Sequence, residues 1–143
     1  MKDTGVTSLT ITSTVRTPKD QARIMYTNIS KLGVEHQKAL YGPNGDKAID
    51  LYSKLKKEGK SSDEIKNAME DLILKLGPPS FSRHLSDPSE YSVFDIAPSS
   101  VKDSLEATFE KNLNLNKQKG VLFNYFSPRK GKDPAFHLEV KLK

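Results

Sequence analysis

The stretch from Ser61 to Pro79 leaves this chain little freedom. Ser61-Ser62-Asp63-Glu64 has the reciprocal pattern of a helix start, in which a hydroxyl and an acid three positions on satisfy each other's backbone N–H. Ile65, Ala68, Met69, Leu72, Ile73 and Leu76 then recur at helical spacing and form a wide apolar stripe. Gly77-Pro78-Pro79 ends it, because proline has no N–H to give and crowds the preceding turn. An isolated helix of this length is marginal in water, so the stripe must be buried and a core has to be built around it.

The rest of the chain supplies partners. Thr17-Pro18-Lys19-Asp20 combines an N-cap, proline at the first helical position and an acid at the third, which predicts a helix to about Lys31. It turns Ala22, Met25, Ile29 and Leu32 inward and ends at Gly33. After a polar connection through Tyr41-Gly42-Pro43-Asn44-Gly45, the spacing of Ala48, Leu51, Tyr52 and Leu55 predicts another helix up to Gly59. Pro98-Ser99-Ser100 opens a fourth, with Val101, Leu105, Phe109 and Leu113 on its inner face. Between helices, 77–90 reads as loop. Strands are expected at Leu9–Ser13, Tyr91–Ile96, Gly120–Phe126 and Ala135–Leu142, the last two as an antiparallel pair around the basic turn Ser127–Lys132. The expected fold class is α+β, a small mostly antiparallel sheet packed against about four helices in a single domain over residues 1–143, with 1–8 outside the ordered part.

Composition removes several classes of function. The chain has 143 residues and no cysteine, which excludes a disulfide framework and any thiolate metal site. No apolar run approaches the roughly 18 residues of a membrane span, and no apolar segment follows the N-terminal lysine as a signal peptide requires. A net charge of +5 favours an anionic partner such as wall polymer, membrane surface or nucleic acid.

If metal binds, its ligands must be His, Asp or Glu. His84, Asp95 and His137 offer two imidazoles and one carboxylate, a set that leaves a fourth zinc position open to water. Side chains alternate along a strand, so His137 shares a face with Glu139, and Asp95 shares one with Tyr91 and Val93. A carboxylate among apolar neighbours needs a cation or donors to offset its desolvation. His36 lies in a polar interhelical segment and is left out.

Ser13-x-x-Arg16-Thr17-Pro18 with Gln21 in the next helix, Ser82-x-His84 leading to Asp95-Ile96, and a late strand His137 together resemble the D-alanyl-D-alanine carboxypeptidase and hedgehog-type zinc peptidases. The resemblance spans roughly residues 9–140. It implies Zn2+ held by His84, Asp95 and His137, with Arg16 on the scissile carbonyl and Ser13, Ser82 and Gln21 on the substrate side. It implies an antiparallel sheet backed by helices, and a monomeric, endolysin-like hydrolase of peptidoglycan stem peptides that stays in the cytoplasm until released to the cell wall. The family's general base normally stands three residues before the last histidine, where this chain has Pro134. Asp133 is the nearest acid and Glu139 the second candidate. The family also brings its first histidine closer to its aspartate than this chain does.

Two other classes stay open. A non-catalytic wall- or ligand-binding module would keep the scaffold and the metal without a competent base. A nucleic-acid binder would rest on Lys54, Lys56, Lys57, Lys60, Arg129, Lys130 and Lys132, with no reading motif to support it.

Overall fold

The structure, a computed structural model, describes residues 4–129 and 134–142. Among them the chain is α+β, with five helices and one four-stranded antiparallel sheet. It divides into two compact units, one of residues 16–85 and the other of residues 1–15 with 86–143.

The first unit is helical: α1 (Pro18–Leu32), α2 (Val34–Lys38), α3 (Pro43–Lys57) and α4 (Ser62–Leu76). Both predicted capping boxes form, with the Thr17 hydroxyl accepting from Asp20 N–H and the Ser61 hydroxyl from Glu64 N–H. Glu64 accepts the Ser61 backbone N–H and then the Ser61 hydroxyl, and these bonds, helped by Lys60, pull its carboxyl down to about 2. Ala22, Met25 and Ile29 of α1 meet Ala48, Ile49 and Tyr52 of α3 and Ile65, Met69 and Ile73 of α4 in one core, closed by Phe81 and Leu85.

Several expectations shift here. Leu32, the last residue of α1 before Gly33 (φ 90°), is exposed rather than inward, beyond the reach of the core that ends at Ile29 on this helix. The supposed polar connection holds α2, and α3 starts at Pro43, the position where a proline's missing N–H costs a helix nothing. Gly45 in its first turn is needed for space. A Cβ there would lie 2.4 Å from Tyr41 Cβ, an atom fixed to the backbone. The 77–90 loop contains two 3-10 turns, Pro78–Ser80 and Arg83–Leu85.

The second unit holds β1 (Ile11–Ser13), β2 (Tyr91–Ile96), α5 (Asp103–Gln118), β3 (Asn124–Phe126) and β4 (Phe136–Lys141). The sheet order is β1-β2-β4-β3, every pair antiparallel. Pro98–Ser100 forms a separate 3-10 turn and α5 begins at Asp103, so Val101 enters the core from an extended link rather than from a helix. The strand expected from Gly120 is confined to Asn124–Phe126.

Register divides the sheet's two faces. Ile96, Phe136, Leu138 and Tyr125 pack with Val101, Phe109, Leu113 and Leu122 in a second core, which Val6 also joins although the sequence reading leaves it outside the fold. Asp95, His137 and Glu139 alternate with these residues and therefore belong to the other face. β1 and β3 are the sheet's edges among the described residues, and beside β3 the side chains of Val121, Phe123 and Phe126 are exposed.

Candidate metal centre

β2 and β4 place Asp95 and His137 as direct cross-strand partners, and Val93 opposite Glu139. Direct partners stand close enough for side chains to meet. His137 Nδ1 lies 2.9 Å from Asp95 Oδ1, and its Nε2 lies 3.2 Å from Glu139 Oε1. With both carboxylates ionised, each ring nitrogen must donate, so without metal the ring is a cation between two anions. Burial opposes that charge, since His137 is only 7% exposed, yet the bonds to Asp95 and then Glu139 outweigh it and raise the imidazole to about 9. The ring of Phe126, opposite His137 in the β3–β4 register, packs against it at 5.6 Å between centroids.

His84 lies buried in the 3-10 turn Arg83–Leu85, where its backbone N–H donates to Ser82 Oγ at 3.3 Å. Its carbonyl accepts the Arg16 N–H at 2.9 Å, which brings the backbone just ahead of α1 alongside the turn. Arg16 Nη1 donates to Gln21 Oε1 at 3.1 Å, and Gln21 Nε2 donates to Tyr41 Oη at 3.1 Å. Gln21 is fully buried, so the guanidinium is held by a side chain that has no freedom of its own. Burial raises the Tyr41 hydroxyl above its ordinary value, against the Gln21 bond and the nearby Arg16 charge, so it stays protonated. Ser13 pairs with Asp95 across β1 and β2, next to a register irregularity.

His84, Asp95 and His137 each offer a ligand atom, and these atoms lie within 4.8 Å of one another. The group therefore has the make-up to bind a metal ion. Two imidazoles and a carboxylate are borderline donors of the kind zinc accepts.

Of the remaining candidates, Glu139 is only 1% exposed and one of its oxygens is engaged by His137. Asp133 lies outside the described residues. His36 is exposed on α2, in keeping with its omission from the set. Sequence reasoning missed Tyr41 and Phe126. Nothing in the sequence ties Tyr41 to Gln21, whereas Phe126 follows once the hairpin register is known.

No family model, curated protein or solved structure matches the chain.

Proposed function

We propose that this protein is a zinc-dependent peptidase of the D-alanyl-D-alanine carboxypeptidase and hedgehog type, cleaving peptidoglycan stem peptides at the cell wall. The observation that carries the reading is the candidate ligand group of His84, Asp95 and His137, in which a strand histidine joins two residues more than 40 positions earlier. Two of the three side chains, His84 and His137, are buried and Asp95 is half-buried, so the group is not a cluster of exposed acids.

Zinc, when bound, supplies a water acidified to a pKa of about 7 and a polarised scissile carbonyl. The chain supplies the rest. Arg16, braced by Gln21, is the cation for the developing oxyanion, and such a preset donor acts without reorganising during the reaction. Asp133 is the carboxylate that takes a proton from water and returns it to the leaving amine. Ser13, paired with Asp95, and Ser82, bonded to the His84 N–H, are the hydroxyls this reading assigns to the substrate side. The net charge of +5 favours residence on anionic wall polymer.

Incubation with zinc and purified wall fragments tests the reading. About one zinc per chain and release of D-amino-acid-containing peptides are expected, both lost on chelation and in His137→Ala. Zinc binding without hydrolysis, with Asp133→Ala unchanged, would instead assign a non-catalytic binding module. Absence of zinc binding, with a melting temperature indifferent to chelator, overturns the metal reading altogether.

A further inference from the structure

The three-residue geometry on the sheet distinguishes the two nitrogens of His137, and this bears on which acid does what. Resting on the zinc reading above, we infer that Glu139 is not the general base but the residue that positions His137, accepting Nε2–H so that Nδ1 is presented to the metal beside Asp95.

Asp95 Oδ1 faces Nδ1 at 2.9 Å, and Asp95 belongs to the ligand group whereas Glu139 does not. The nitrogen that shares an ion with Asp95 is therefore Nδ1, since the opposite side of the ring points to Glu139. A neutral imidazole that gives one nitrogen to a metal keeps its proton on the other, and that proton needs an acceptor. Glu139 Oε1 stands 3.2 Å from it. The arrangement fixes the tautomer, sets the ring plane and raises the donor strength of Nδ1, the ordinary function of a carboxylate behind a metal-bound histidine.

The backbone makes the placement firm. His137 and Glu139 are two apart on β4 and so share a face. β4 is the inner strand between β2 and β3, with Glu139 paired to Val93 on one side and Asn124 on the other. At 1% exposure Glu139 is poorly placed to exchange protons with water and substrate, which a general base has to do, but well placed to hold a ring still.

Two variants separate the roles. Glu139→Gln keeps an amide oxygen that can accept Nε2–H, whereas Glu139→Leu keeps volume and removes the acceptor. Zinc affinity, measured by competition with a chromogenic chelator, is expected to fall less than tenfold for Glu139→Gln and about 10- to 100-fold for Glu139→Leu. Imidazole nitrogen NMR of the zinc-loaded wild type is expected to show Nδ1 bound and Nε2 protonated. Turnover per bound zinc in Glu139→Gln is expected to fall far less than the 10²- to 10⁴-fold that loss of a general base brings. Zinc on Nε2, equal zinc affinity in both variants, or a zinc-loaded Glu139→Gln protein without turnover would each overturn the inference. The first two leave the peptidase reading intact. A wild type that binds no zinc removes both together.

Discussion

At the scale of single residues, His137 decides the most. Its pKa of about 9 in the fold stands above the unfolded value of 6.5. A group with a raised folded pKa contributes stability that is complete below the unfolded value and disappears as pH rises through the folded one. The metal-free protein should therefore lose stability between about pH 6.5 and 9, by an amount on the order of 3 kcal/mol. Asp95 and Glu139 are the carboxylates that face the ring and give the effect its sign. Denaturant melts of chelated protein across that interval check it, and a flat profile would refute the ion triad. Zinc competes with the same ring proton, so zinc affinity should rise over the same interval. The alternation of β4 already puts His137 and Glu139 on one face in the sequence. Their separate relations to Asp95 depend on a cross-strand register between positions 42 residues apart, which no local pattern encodes.

At the scale of elements, the helices were legible wherever their ends carried chemistry. Thr17 with Asp20 and Ser61 with Glu64 announce α1 and α4 to within a residue or so. α2 was not legible, because a five-residue helix with one buried side chain, Gln37, has no apolar period to read. Val101 misled because its spacing to Leu105 suits a helix, whereas the 3-10 turn at Pro98–Ser100 delivers it to the core by another route. Two substitutions test the elements. Ser61→Ala removes the acceptor for Glu64 N–H and should cost about 1 kcal/mol of helical-unit stability. Gly45→Ala places a methyl against Tyr41 Cβ, and relief requires backbone movement. It should cost about 1–3 kcal/mol, the range for overpacking, and its effect should reach the Gln21–Tyr41 bond. Equal melting of wild type and Gly45→Ala would show that the turn between α2 and α3 yields more easily than its packing indicates.

At the scale of the whole molecule, the two units differ in how the chain builds them. The helical one is a continuous segment, residues 16–85, with an apolar core drawn from α1, α3 and α4. The sheet-bearing one is assembled from both ends of the chain, with β1 and Val6 supplied before that segment begins. A polypeptide of residues 16–85 should therefore fold alone, with helical circular dichroism and a cooperative thermal transition. A non-cooperative melt would show that its core is incomplete by itself.

The β3 margin of the sheet has a consequence for handling the protein in quantity. Among the described residues β3 is an edge strand, and with exposed Phe126 in it and exposed Val121 and Phe123 just before it, it is a template for a second copy that no lysine or proline in β3 itself discourages. Mutual repulsion from the common charge of +5 opposes such pairing, and dissolved ions shorten its reach to about 3 Å at molar concentration. Dilute buffers should thus preserve dispersed molecules while concentrated ones promote ribbon-like association, and a lysine in place of Phe123 would remove that sensitivity at its source.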